Sequence, residues 1–357
     1  MRGSAPVVVL GHLLSGRCDP KGVADWPAVA EAARRGRLEA ILAHRLGRDL
    51  PEALRERADA QRRRVAFAAL HLLREREHVL GALVSLAPVI LLKGAVLGHL
   101  VYPDPTLRST NDLDLLIPTA AMSASVSALE AIGYVETDLF PSRPVSRAAY
   151  HERLLSRELV PGRVRQPVEL HTGFAQPFRH RLSADSLFAS SVPFAPDGLA
   201  VFAPHVRRLG DVDQLIHLAV HLAREQFLSP SKHLFDVHLW FERGVDPAAL
   251  VARAAETRTK TALYETLRLS AAVFGTAVAP DLLGELSPPR PIAAWLDYWH
   301  TPTGHRLVRR PLSMREAQAL LMLPLLDDTE GRVAALWHYS RLRVLDRWGG
   351  SLSRPPR

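Results

Sequence analysis

The sequence predicts an α+β fold in which a small mixed sheet is flanked by an N-terminal and a C-terminal helical region. Three observations carry this. Residues 26–85 repeat apolar side chains at three- and four-residue spacing. From Pro88 short apolar runs alternate with helical spans and end in a hairpin pattern. From Asp211 onward the helical spacing returns. The division is residues 1–87, a core over 88–204, and residues 205–357.

In order along the chain, residues 26–46 and 54–83 place Ala, Leu and Val at helical spacing with arginines and glutamates between them. Pro51 begins the second region and Pro88 closes it. A strand is expected at 89–92, a helix at 95–101 and a strand at 113–117. Thr119 is the expected N-cap of a helix running to Ile132. Gly133 ends that helix before a strand at 134–137. After a Pro/Arg-rich connection, runs at 154–160 and 164–171 flank Pro161-Gly162 and predict a hairpin. Helices follow at 212–227, 234–243, 247–257 and 262–274. Proline-containing breaks at 287–291 and 302–311 set off a tail, whose last residues, SLSRPPR, are expected to fray.

Composition narrows the class. The chain is 47% hydrophobic and 23% charged, ordinary globular usage with enough length for a sizeable core. Its one cysteine, Cys18, rules out an internal disulfide framework and favours a reducing compartment. The N-terminal apolar run is short and interrupted by His12, a poor signal peptide. No apolar stretch approaches the ~20 residues that a membrane span needs. The expectation is a cytoplasmic protein without a membrane partner. The net charge of +8 comes almost wholly from arginine, because lysine occurs only at positions 21, 93, 232 and 260. The basic clusters are scattered and lack interleaved aromatics, so nucleic acid is not the expected partner.

The chemistry concentrates in residues 89–117, VILLKGAVLGHLVYPDPTLRSTNDLDLLI. Successive side chains of a strand alternate faces, so Asp112 and Asp114 share one face and Leu113 and Leu115 take the other. Carboxylates held within about 7 Å repel, and such a pair protonates one member or recruits a cation. Hard oxygen donors suit Mg²⁺ or Mn²⁺, which take their other ligands from water and substrate phosphates.

Lys93-Gly94-Ala95 ahead of a helix, then Arg108, then Asp112-Leu-Asp114-Leu-Leu, resembles the signature of the polymerase-β-like nucleotidyltransferase superfamily. It is more closely similar to a largely uncharacterised bacterial group within it. Leu92, Lys93, Gly94, Leu97, Tyr102, Pro103, Arg108, Asp112 and Asp114 fill that group's pattern. Val168-Glu169-Leu170-His171 matches its later apolar-acid-apolar-His segment, which brings a third carboxylate. The pair Gly94-Ala95 stands where the wider superfamily has Gly-Ser or Gly-Gly, and the spacer to the acidic strand is longer than the general pattern.

The resemblance implies a Mg²⁺- or Mn²⁺-dependent enzyme that binds an NTP, ATP among the donors, and transfers its nucleoside monophosphate to an acceptor hydroxyl or phosphate. Asp112, Asp114 and Glu169 would hold the metal, with Glu169 as ligand or base. Lys93, Gly94 and Lys232 would contact phosphates, and Arg108 would either do the same or pin its loop to Asp104. The acceptor would be a small molecule, peptide or saccharide. Lys232 and Asp236 lie in the segment SKHLFD, which resembles a stretch in the group's C-terminal helices. His217 and His221 have zinc-pair spacing but no third ligand, which favours a structural pair. Two other readings remain: a nucleotide-sugar glycosyltransferase using Asp-Leu-Asp, and a degenerate homologue that binds nucleotide or a partner without catalysis.

Overall fold

The computed structural model describes residues 5–137, 152–160, 164–174, 179–196, 199–228, 230–300 and 323–352. Helices α1 (Pro6–Leu14), α2 (Trp26–Gly36), α3 (Glu39–Leu46) and the long α4 (Glu52–Leu83) form the N-terminal part. The expected single span over 26–46 is broken at Arg37, which takes a left-handed conformation and closes α2. Asp25 starts α2 by accepting the Ala28 N–H at 2.9 Å. The N-terminal apolar run folds as α1. Gly11 lets α1 pack backbone to backbone on the last turn of a C-terminal helix, since a Cβ there would overlap the Val273 carbonyl.

The sheet follows, with β1 (Val89–Leu91), α5 (Gly94–Leu100), β2 (Leu113–Leu116), α6 (Met122–Ala131), β3 (Val135–Thr137), β4 (Glu152–Val160) and β5 (Val164–His171). Then come α7 (Ala184–Ser190), β6 (Val192–Pro193) and β7 (Val206–Arg208). The strand order is β3-β4-β5-β2-β1-β7-β6. Strand β2 runs antiparallel to β1 and parallel to β5, while β4 and β5 are the antiparallel hairpin the sequence predicts. The Pro161-Gly162 turn itself lies outside the described residues. Thr119 does not cap α6. It opens a short 3-10 turn, Thr119–Ala121, and the Ala121 N–H is already satisfied by the Pro118 carbonyl at 2.9 Å.

The C-terminal part comprises α8 (Asp211–Arg224), α9 (Lys232–Phe241), α10 (Pro247–Thr257), α11 (Lys260–Phe274), α12 (Pro280–Leu286), α13 (Arg290–Trp299) and α14 (Thr329–Leu352). The expected break at 302–311 and the terminal SLSRPPR lie outside the described residues, apart from the Ser351 and Leu352 that end α14. No helix among the described residues is long and apolar enough to cross a membrane.

Strand alternation divides the core into two layers. Val89 and Leu91 of β1, Leu113 and Leu115 of β2, and Val168 and Leu170 of β5 pack against α4 and α6. Ile90 and Leu116 point to the opposite face, where they pack with Leu215, Ile216 and Trp240 of α8 and α9. Asp114, Glu169 and His171 share that second face by alternation, so the acidic residues meet the C-terminal helices. A third cluster ties Leu10, Leu14 and Ile41 of the N-terminal helices to Tyr102, Phe235 and Phe274. The two helical regions thereby pack on each other around one end of the sheet.

Candidate active site

Register fixes the centre of the site. Asp114 of β2 pairs directly with Glu169 of β5, and Leu116 pairs with His171 two residues on. The carboxylates of Asp114 and Glu169 and the imidazole of His171 offer ligand atoms within 4.8 Å of one another. His171 Nε2 lies 3.2 Å from Asp114 Oδ1 and 3.4 Å from Glu169 Oε2. Its other nitrogen, Nδ1, lies 3.6 Å from Glu152 Oε2 of β4, the residue paired with it across the hairpin. Arg224 of α8 donates to both oxygens of Glu152, at 3.0 and 3.2 Å. A relay of opposite charges therefore runs Arg224, Glu152, His171, Asp114.

Lys93 completes the cluster. Its Nζ donates to Asp114 Oδ1 at 2.7 Å. The backbone of Lys93 takes φ 45°, ψ −121°, a conformation unusual for a residue with a side chain. That turn leads from β1 into α5, and it places the ammonium on the acidic face. The amides of Ala95 and Val96 donate to the carbonyls of Leu92 and Lys93 at 3.3 and 3.1 Å, so they are engaged within the turn. Gly94 has a packing explanation. A Cβ there would overlap Arg108 Nη1 and Thr110 Oγ1, so glycine is needed for the loop ahead of β2 to close over α5.

Electrostatics follow from this packing. Burial disfavours the charged Asp114, but Lys93 and His171 outweigh it and hold the carboxyl well below the usual aspartate range. Burial disfavours the charged His171, yet Asp114 and Glu169 outweigh it and raise the imidazole. Lys93 likewise ends above the usual lysine range, because Asp114, Glu169 and Asp112 overcome the effect of burial. Asp112 is pushed up, by burial first and by the Asp114 charge second. Like charges are thus crowded here, and two protein cations already compensate part of the excess.

Asp112 lies just before β2 and is partly exposed. It lines a cavity of about 240 Å³ with Glu169, Lys93, Arg224 and Lys232. The cluster within 4.8 Å contains Asp114, Glu169 and His171, with Asp112 at the adjoining wall. Two carboxylates side by side, a third at the wall and an imidazole are compatible with a divalent cation, and the crowding that raises Asp112 is what such a cation would relieve.

Two residues expected at phosphates have structural partners. Arg108 is buried and donates from Nε and Nη2 to the two oxygens of Asp236, at 3.0 and 2.7 Å. Tyr102 Oη donates to the same carboxylate at 2.8 Å. Asp104, the local alternative for Arg108, instead accepts from the Thr106 N–H and hydroxyl. Lys232 faces the cavity but donates to the Ser109 carbonyl at 2.7 Å. Burial, with Arg108 close by, pushes its ammonium down to about 7.

His217 and His221 do not form a metal pair with the acids. Burial, reinforced by Lys93, pushes His217 down to about 3 and His221 well below the usual histidine range, which keeps both neutral. The His217 ring stacks on Phe174 at 4.2 Å. Sequence reasoning missed Glu152 and Arg224. Both stand among other polar residues, His151 and Arg153 beside one and Glu225 and Gln226 beside the other, so charge alone did not single them out.

No curated protein and no solved structure matches the chain. A family model described as an uncharacterised nucleotidyltransferase matches residues 22–275, which span α2 to α11 and contain every residue of the cluster. The chain therefore belongs to this family of uncharacterised nucleotidyltransferases.

Proposed function

We propose that the protein is a divalent-metal-dependent nucleotidyltransferase that moves a nucleoside monophosphate from an NTP to a hydroxyl or phosphate of an acceptor. One observation carries the reading: Asp114 and Glu169 stand side by side on parallel strands, compensated by Lys93 and His171, next to a cavity with basic walls. This is the placement that the resemblance to the polymerase-β-like superfamily implies for its carboxylates. Asp112, Asp114 and Glu169 are the ligand set, and His171 stands at its edge. The bound cation, Mg²⁺ or Mn²⁺, supplies charge neutralisation at the phosphates and alignment of the reacting oxygen.

The chain's own residues do the rest. Glu169, the most open of the clustered acids, accepts the proton of an attacking hydroxyl. The hydroxyl oxygen bonds to the α-phosphorus, and the bond from that phosphorus to the pyrophosphate oxygen breaks. The bonding pair leaves with pyrophosphate, whose charge Lys93 meets from the floor of the cavity. His171, held by Glu152 and Arg224, keeps Asp114 ionised and oriented. An acceptor phosphate, already ionised, would need no base.

Thermal stabilisation by each of the four NTPs tests this, with Mg²⁺, with EDTA, and in an Asp112→Asn/Asp114→Asn variant. Ligand at ~100 times its dissociation constant stabilises by about 2.7 kcal/mol. The expected result is a Mg²⁺-dependent shift that the variant loses. No shift with any NTP, or one indifferent to EDTA, contradicts the reading.

A further inference from the structure

We propose that an arginine-lined cleft beside the catalytic cavity is the acceptor subsite, and that the acceptor is a small molecule bearing a phosphate group. This rests on the nucleotidyl-transfer reading above. The cleft encloses about 590 Å³ and adjoins the catalytic cavity, since Arg37 and Asn111 line both. Asn111 immediately precedes Asp112, so a molecule anchored in the cleft lies one residue from the carboxylate at the wall beside the acidic cluster.

Its charge is one-sided. Arg34, Arg37, Arg57 and Arg64 meet a single carboxylate, Glu39. Arg34 is paired with Glu31 on its own helix at 2.7 Å. Arg37, Arg57 and Arg64 make no ion pair among the described residues. Arg57, Gln61 and Arg64 recur at i, i+4 and i+7 on α4, which sets them along one face toward the cleft. No helical requirement calls for this, because an exposed helix face tolerates any polar residue.

Arg37 links the cleft to the catalytic cavity. It closes α2 at φ 56°, ψ 38°, the left-handed position that favours glycine. A side chain there costs roughly 1–2 kcal/mol. Arg258 ends α10 in the same conformation, so what distinguishes Arg37 is its place at the junction of the two cavities. Ser109, also in the lining, is anchored through its carbonyl, which accepts from Lys232 at 2.7 Å. Arg57 acts on Glu39 through charge, and Arg37 and Arg64 have no carboxylate partner among the described residues, so the cleft keeps a net positive charge suited to a dianion.

Chemistry and size narrow the occupant. The planar fork of guanidinium matches phosphate oxygens two at a time. The volume falls in the range of pockets for small molecules, roughly 300–1,000 Å³. Among the described residues the lining contains no aromatic side chain on which bases could stack, which separates it from a single-strand nucleic-acid channel.

The probe is inorganic phosphate, followed by ³¹P line broadening on the full chain, with and without saturating NTP–Mg²⁺. The wild type and the Asp112→Asn/Asp114→Asn variant are expected to bind it, and NTP should not displace it. Arg57→Ala/Arg64→Ala should weaken binding by about 10-fold or more for the pair, with an unchanged melting temperature. The Mg²⁺–NTP thermal shift should survive in that variant. Three results overturn the proposal: no phosphate binding in the wild type, binding indifferent to the two arginines, or displacement of phosphate by NTP, which would give the cleft to the donor. A retained NTP shift in a protein that ignores phosphate removes the subsite alone. Phosphate binding without any NTP shift removes the transfer reading, and the acceptor role with it.

Discussion

Two buried ion pairs, Lys93–Asp114 and Arg108–Asp236, both close at 2.7 Å and yet differ in kind. Around Arg108 the partners match: two guanidinium nitrogens on two carboxylate oxygens, Tyr102 on one of them, and Nη1 on Thr110 at 2.8 Å. Side-chain exposure there is 3% for Arg108 and 0% for Asp236. Around Asp114 they do not match. One oxygen takes both Lys93 and His171, Glu169 stands beside it 31% exposed, and the group opens on a cavity. A saturated pair sealed from water works as a strut. A cluster with surplus carboxylate at a cavity wall has room for another cation and a charged substrate.

The comparison can be broken at the strut first. Asp236→Ala leaves the Arg108 guanidinium buried without its carboxylate, which should cost about 3–5 kcal/mol in denaturant-induced unfolding. A loss under 1 kcal/mol would mean that the loop ahead of β2 is held by other contacts. If Arg108 is a strut, the folded fraction of a milder Asp236→Asn protein should keep its Mg²⁺–NTP shift.

Lys232 and His171 sharpen the comparison through opposite pH signatures. Lys232 is depressed to about 7 in the folded protein against an ordinary 10.5. Between those values the unfolded chain binds a proton that the folded chain lacks, so this residue lets stability rise with pH across the window. Lys232→Met should therefore be most stabilising, relative to wild type, below pH 7, and the advantage should shrink toward pH 10.5. A difference constant with pH would contradict the depressed ammonium.

His171 is raised, so its contribution is complete below pH 6.5 and fades as pH climbs through the higher folded value. His171→Gln should cost most at pH 6 and less at pH 9. Denaturation curves at both pH values check the sign.

Much of the sheet is legible in the sequence because strands alternate faces, and the Asp112/Asp114 and Glu169/His171 pairs follow from that one rule. Their meeting across β2 and β5 requires the register, which no local pattern encodes. Strands β6 and β7, at two and three residues, are too short to carry a periodic signal. Arg108 shows the limit most clearly. Local spacing offers it Asp104, four residues away, whereas its partner is Asp236, 128 residues along the chain. A separation of 72 residues likewise hides the Arg224–Glu152 pair. Pro51 is readable as a helix start, whereas the cap at Asp246, which accepts the Ala248 N–H at 2.9 Å, goes unread. Thr119 was misjudged because a 3-10 turn satisfies the amides that a cap would otherwise serve.

The central claim is that the Asp114 cluster, unlike the Asp236 pair, is built to receive a divalent cation. Mn²⁺ titration followed by the free-ion EPR signal tests it directly. Wild type and Asp236→Asn should each remove about one equivalent of Mn²⁺ from solution, and Asp114→Asn should bind at least ~10-fold more weakly. Equal binding by Asp114→Asn and wild type, or no binding by wild type with or without NTP, would contradict the account.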